Sequence, residues 1–241
     1  MTEMTEKGVS FEVLKGFLEK NKGEEVLVEY KVKALLKELG LPVPKGLLVP
    51  RGQAARMLDL SDLTYPIVAK VSSTKIASKS DIGGVKVGIR DENELEEAVT
   101  NFLGFQNAEG VYIEEMAPSG LEVIVGGMVD EQFGPVVMLG LGGIFVEFFK
   151  DVIFALAPLT RKEALSFVKR FKAFKLLGGY RQRPALDLDI VLQIIVAVSE
   201  LMASSLIAEI DLNPVALYPQ GAMILDAKMQ LKKTKGIVAQ D

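Results

Sequence analysis

The sequence predicts an α+β protein built as two lobes around a cleft. Three observations point there. A first stretch of about a hundred residues alternates helix and strand, the size of a small lobe. The second half carries a longer series of strands, two helices and a closing β-hairpin. No repeat, low-complexity tract or long linker separates them. The lobes therefore pack together, and the cleft between them is the natural ligand site. The expected limits are a helical extension over 1–24, a small lobe over 25–109 and a large lobe over 110–241.

Taken in order, Tyr30–Gly40 carries Val32, Leu35, Leu36 and Leu39 at the spacing of one helical face. Gly40 stops that helix, and Pro42 and Pro44 follow. Leu47–Val49 is a short strand, Gly52–Leu58 a helix and Pro66–Ser72 an apolar strand. Ser73–Gly84 is polar and ends in a double glycine. Val85–Ile89 alternates as a half-buried strand. Glu92–Leu103 gathers Leu95, Ala98, Val99 and Phe102 on one helical face. Val111–Met116, Leu121–Met128, Gly134–Leu139 and Val152–Leu156 are strands, with a turn at Val129–Glu131 and a glycine break at Gly140–Gly143. Thr160 and Glu163 form a capping box. Asp189 is the expected cap of a long apolar helix ending at Ser204. Polar residues interrupt that helix, so it reads as a core helix and not as a membrane span, which needs about 20 apolar residues. Leu206–Leu217 and Ala222–Leu231 close the chain as a hairpin turning at Pro219–Gly221.

Composition excludes much chemistry. The 241 residues hold 28 Lys and Arg against 32 Asp and Glu, a formal charge of −4, so no basic field attracts nucleic acid. There is no Cys and no His. Thiolate and histidine metal sites, cysteine nucleophiles, Ser-His-Asp triads and a phosphohistidine borne by this chain are excluded. The N-terminal stretch is charged and lacks the apolar core of a signal peptide. The expectation is a cytoplasmic protein with neither nucleic acid nor membrane as partner.

In the terminal hairpin, period-two alternation puts Glu209, Asp211 and Asn213 on one face and Ile210 and Leu212 on the other. Folding about Pro219 and Gln220 sets Asn213 opposite Asp226 and Asp211 opposite Lys228. An Asn oxygen and an Asp carboxylate so paired suit a hard cation such as Mg²⁺, which takes few protein oxygens and completes its shell with water and phosphate. The alternative is a solvent-facing polar side. Lys70, mid-strand among apolar residues, needs a counter-charge unless it snorkels to the surface; a phosphate in the cleft is one such partner. Ser72–Gly84 has the hydroxyls, lysines and glycines of a flexible phosphate cover, or of a plain hairpin loop. It contains no P-loop motif, and Gly140–Gly143 is not a dinucleotide fingerprint. The backbone at Glu114–Met116 can offer a donor and an acceptor to an adenine edge, and Glu122 follows in the next strand. All three glutamates, Glu114, Glu115 and Glu122, equally suit an ordinary surface.

Together LLKELGLPVPKGLLV, PIVAKVSS, KSDIGGVKVGI, VYIEEM, FGPVVMLGLGGIFVEFFKDVIFALAPLT and EIDLNPVAL…ILDAK run along nearly the whole chain. This ordered set resembles the ATP-grasp fold, and within it the β subunit or β-like domain of ADP-forming acyl-CoA synthetases. The resemblance implies that Lys70 holds the ATP phosphates and takes part in transfer. It implies that Gly83, Gly84 and Val85 belong to the loop closing over them. Glu114, Glu115 and Met116 would meet adenine, Glu122 would lie near the nucleoside, and Asn213 and Asp226 would bind Mg²⁺. Asp211 would orient a phosphohistidine arriving from an α subunit, which carries the CoA-binding and phosphohistidine domains in a heterotetramer. One departure stands out: the family's glycine loop carries a histidine where this sequence has Ser78. A serine hydroxyl is a far poorer base and nucleophile at neutral pH. The implied function is reversible phosphoryl transfer between ADP or ATP and the partner's phosphohistidine. The alternative is a nucleotide-sensing paralogue without the relay. The apolar block Phe133–Phe149 is an expected subunit contact.

Overall fold

A computed structural model describes residues 10–53, 59–76, 78–143, 151–179 and 184–232. Two antiparallel sheets, each with its own apolar core, make the two lobes. The small lobe is a four-stranded sheet in the order β2 (Gly46–Pro50), β5 (Gly110–Glu115), β3 (Ile67–Ser72), β4 (Val85–Ile89). Helix α3 (Glu92–Leu103) covers it through Leu95, Ala98, Val99 and Phe102, the face the spacing predicts.

The large sheet has seven strands. β1 (Val26–Leu27), β11 (Ala227–Leu231), β9 (Ile207–Leu217), β6 (Leu121–Asp130), β7 (Gly134–Leu141) and β8 (Val152–Leu156) follow in that order, with β10 (Ala222–Ile224) also on β9. Its core receives α1 (Phe11–Lys20) and α2 (Glu29–Glu38). It also receives α4 (Arg161–Val168), the short α5 (Phe174–Leu177) and α6 (Leu188–Ala203). The expected lobe limits therefore need correction. β5 closes the small sheet although it lies beyond residue 109, and α1, β1 and α2 belong to the large lobe. Pairing decides this: β5 satisfies its backbone between β2 and β3, and Leu14, Val32, Leu35 and Leu36 bury against the large sheet.

Several local expectations hold. Gly40 has φ +75° just past α2, and the N–H of Leu41 reaches back to Leu36 C=O at 2.9 Å. The Thr160–Glu163 capping box forms. The apolar helix α6 buries Ile194, Ile195, Val198, Leu201 and Met202, and no described helix is long and apolar enough to cross a membrane.

Others shift. β6 runs to Asp130, whose Oδ1 accepts the N–H groups of Gln132 and Phe133 and so turns the chain over Glu131–Phe133. β7 continues through Gly140 to Leu141, because β6 and β8 pair with it on both sides. The cap of α6 is Asp187, not Asp189. Residues 54–58 of the expected helix Gly52–Leu58, and 144–149 of the apolar block, lie outside the described residues.

Candidate functional site

The terminal hairpin pairs in the register expected of it, with Asp211 opposite Lys228 and the N–H of Asn213 donating to Asp226 C=O at 3.1 Å. Two irregularities shape it. Across β6, Asn213 and Pro214 fill the interval opposite Ile124, a bulge that re-aims the side chains there. On the return, Leu225 and Asp226 separate β10 from β11 while still bonding Pro214 and Asn213. There the Leu225 carbonyl and the Asp226 carboxylate meet the small lobe.

The small lobe meets them with lysines. Lys70 and Glu114 share one face of adjacent strands, diagonal neighbours in the β3–β5 register. Lys70 is 7% exposed and does not snorkel. Its Nζ lies 2.6 Å from Glu114 Oε1 and 2.8 Å from Glu29 Oε1, and it also donates to Leu225 C=O. From α2, Lys33 Nζ reaches Glu29 Oε1 at 2.8 Å, Leu225 C=O at 2.8 Å and Glu114 Oε2 at 2.5 Å. It also stands 5.4 Å from the Tyr112 ring centroid. Lys79, from the β3–β4 turn, reaches Glu29 Oε2 at 2.7 Å and Asp226 Oδ1 at 2.9 Å. Three ammoniums and three carboxylates thus meet at the seam between the lobes.

Charge states follow from this packing. Burial alone would raise Glu29, but Lys33, Lys70 and Lys79 outweigh it and hold its carboxyl well below the ordinary range. Burial would lower Lys70 and Lys79. The facing carboxylates reverse the sign and raise both. On Lys33 burial prevails over Glu29 and Glu114, and its ammonium is lowered. Asp211 is raised, chiefly by burial, with Asp226 and Glu209 adding to it and Lys228 opposing.

The remaining expected residues surround this seam. Gly83 (φ +69°) and Gly84 turn the chain into Val85, which pairs with Lys70. Glu114 is 2% exposed and its carboxylate bonds lysines, so it is not a surface glutamate. The N–H groups of Glu115 and Met116 are engaged by Lys45 C=O at 2.9 Å and Pro66 C=O at 3.0 Å. Glu122 lies against the glycine block: a Cβ on Gly142 would meet its backbone at 2.9 Å, and one on Gly143 would meet Oε2 at 2.9 Å. Only glycine admits that approach. Ser78 Oγ accepts Asp81 N–H at 3.4 Å, a bond that shapes the turn. A cavity of about 380 Å³ opens at the Asp211 end of the seam, lined by Glu29, Ser72, Thr74, Lys79, Asp211 and Lys228.

The spacing argument did not single out Glu29, Lys33 or Lys79. A signal existed: Glu29 and Lys33 flank Val32 on the same helical stripe as Leu36, and a charge on a buried stripe requires a partner. Among the described residues no group of three or more acidic, His or Cys side chains can cage a metal. The Asn213–Asp226 pair still fits Mg²⁺, which needs only one or two protein oxygens. The ammonium of Lys79 on Asp226 Oδ1 is itself a stand-in cation.

Comparisons with known proteins identify the family. The model of the ATP-grasp domain matches residues 19–231. The β subunit of acetate–CoA ligase (ADP-forming) I from Pyrococcus furiosus is 42% identical over 225 residues, covering 89% of this chain and 96% of that subunit. Acetate–CoA ligase (ADP-forming) II from Archaeoglobus fulgidus is 39% identical over 210 residues, 87% of this chain, which spans only 31% of that protein's length. A solved acetyl-CoA synthetase 1 from Ca. Korarchaeum cryptofilum has a TM-score of 0.76 at 36% identity and covers 92% of this chain and 99% of that one. It holds coenzyme A and Mg-AMPPCP, with a phosphohistidine segment pointing toward the nucleotide site. The chain belongs to the ATP-grasp family, among the β subunits and β-like domains of the ADP-forming acetate–CoA ligases.

Proposed function

We propose that this chain is the nucleotide-binding part of an ADP-forming acyl-CoA synthetase. It moves a phosphoryl group between ADP or ATP and a histidine of an α subunit, in the overall reaction acyl-CoA + ADP + phosphate ⇌ acid + CoA + ATP. The observation that carries this reading is the convergence of Lys70, Lys33 and Lys79 on the Leu225–Asp226 edge of the hairpin. Phosphoryl transfer needs positioning and charge neutralisation more than covalent help. Three lysines at one seam suit a polyphosphate, and Asn213 and Asp226 would hold Mg²⁺, which when bound neutralises phosphate charge.

Asp211 borders the cavity through which an outside imidazole would approach. Its carboxylate would accept a hydrogen bond from that imidazole's N–H and so orient it. With no His among these 241 residues, the phosphorylated histidine of this proposal lies outside them. The P. furiosus relative is named a β subunit, and the longer A. fulgidus ligase leaves 69% of its length for other parts. Exposed Phe133, Phe154 and Leu156 form an apolar edge suited to that partner. A heterotetramer and a cytoplasmic location complete the proposal.

The test is calorimetric. Lys70→Ala is expected to weaken Mg-ADP binding about ten- to a hundredfold, the worth of a charge-assisted hydrogen bond. Asp226→Ala is expected to weaken Mg-ADP but not metal-free ADP. Unchanged affinity in both variants, with the fold intact by circular dichroism, refutes the site. One observation favours a second reading, a nucleotide sensor: Ser78 is occupied in shaping its turn. Labelled phosphate passing from ATP to an α-subunit histidine supports the enzyme, and tight binding without transfer supports the sensor.

A further inference from the structure

Lys79 connects the lobes in a way the family resemblance does not specify. Its carbonyl accepts the Gly84 N–H at 2.7 Å, and the Gly84 carbonyl accepts the Val71 N–H at 2.8 Å. The β3–β4 turn is thus fastened to the small sheet. Its ammonium crosses to the large lobe, to Glu29 on α2 and Asp226 on the hairpin. The Lys79 and Asp226 side chains are 11% and 21% exposed, at the rim of an otherwise buried cluster. Asp226 Oδ1 also accepts the Ala227 N–H at 2.8 Å. Lys70 and Lys33 bond to the Leu225 carbonyl beside it and to glutamates.

We propose that Lys79 is the resident cation of the Asp226 seat, and that a divalent cation and the Lys79 ammonium exclude one another there. The inference rests on Asp226 as the metal ligand. A Mg²⁺ ion binds a carboxylate oxygen at about 2.1 Å. The ammonium now 2.9 Å from that oxygen would then face a double positive charge at close range, in a partly desolvated site where repulsion is weakly screened. Lys79 must leave. Glu29 Oε2 can still hold it on one side, with Oε1 serving Lys33 and Lys70, and the anion that replaces Asp226 on the other side is the phosphate chain that arrives with the metal. Metal, nucleotide and the β3–β4 turn are thereby coupled. An empty site is held shut by an ion pair, and loading it frees the turn and delivers a lysine to the phosphates.

The experiment uses the full chain without nucleotide and Mn²⁺ as probe. Binding is followed by the loss of the free-ion paramagnetic resonance signal, and the turn by hydrogen exchange at the amides of 81–85. Lys79→Met is expected to tighten Mn²⁺ about tenfold, equivalent to about 1.4 kcal/mol. Adding Asp226→Asn is expected to erase the gain. Saturating Mn²⁺ on the unmutated chain is expected to raise exchange in the turn to the Lys79→Met level. Lys79→Gln, which keeps a polar side chain, replaces Met if that variant loses its native circular dichroism. Unchanged Mn²⁺ affinity and exchange on removing Lys79, while Asp226→Asn still weakens Mn²⁺, overturns the exchange and leaves the metal ligand standing. Mn²⁺ binding indifferent to Asp226→Asn in either background overturns the metal ligand and the exchange together. No measurable Mn²⁺ binding to the Lys79 variant at millimolar concentration also overturns it.

Discussion

Glu29 accepts from three ammonium groups, those of Lys33, Lys70 and Lys79, at 2.7–2.8 Å. It is 7% exposed, so its charge is held by these partners and not by water. Glu29→Gln leaves three buried lysines facing two carboxylates. Breaking a buried pair on one side costs about 3–5 kcal/mol. We therefore expect the variant to lose stability on that order in urea unfolding at neutral pH. The sign with pH follows from the lowered carboxyl. Stability from a depressed acid is fully present above its unfolded pKa, about 4.3 for Glu, and is lost as pH falls through the lower folded value. The gap between the unmutated chain and Glu29→Gln should stay constant from neutral pH to about 4.3 and narrow only below it. A gap that closes between pH 7 and 5 would show that Glu29 is not held ionised by its lysines.

Helix α6 shows how an element chooses its cap. Asp187 and Asp189 both precede the apolar run, and either has the chemistry. Asp187 wins because each of its oxygens has a separate task. Oδ1 accepts the Ile190 N–H at 3.2 Å, and Oδ2 accepts the Gly221 N–H at 2.8 Å. Its own N–H donates to Tyr218 C=O at 2.9 Å. One side chain thus starts the helix and ties it to the turn of the terminal hairpin. Asp189 pairs with Arg161 on the surface, where such bonds contribute little. Asp187→Ala is expected to cost about 1–2 kcal/mol of unfolding free energy. Asp189→Ala should stay within about 0.5 kcal/mol. Equal losses in chemical denaturation would contradict the assignment.

At the scale of the molecule, two dry cores meet along a polar seam. Lys33–Glu114, Lys70–Glu29, Lys79–Glu29 and Lys79–Asp226 all cross it. Such a seam is shut by charge and opened by competing charge, which suits a ligand made of phosphates and a metal. In the proposed function, the isolated chain binds Mg-nucleotide but completes no turnover. At a hundred times its dissociation constant, Mg-ADP should add about 2.7 kcal/mol to the unfolding free energy. Acyl-CoA formation by the 241-residue chain alone would refute the division of labour, and absence of any stabilisation would refute the seam as a nucleotide site.

The hairpin register was legible because alternation and one turn decide it: Asp211 faces Lys228 and Asn213 meets Asp226 as the spacing requires. The helix carrying Leu95 was legible for the same reason, since period alone separates inside from outside; the strand of Lys70 was legible from its apolar run and is buried on both faces. The partners of Lys70 were not. A sequence shows that a buried ammonium needs an anion, but Glu29 lies 41 residues before it and Glu114 belongs to another strand. Spacing along a chain does not encode which distant elements share a face. Membership of β5 in the small lobe, and of α2 in the large one, was hidden likewise, because only sheet pairing and core packing assign them. Local periodicity determined which side chains point inward. The meeting of the two lobes decided which charges found one another, because a buried charge is satisfied in space and not in order.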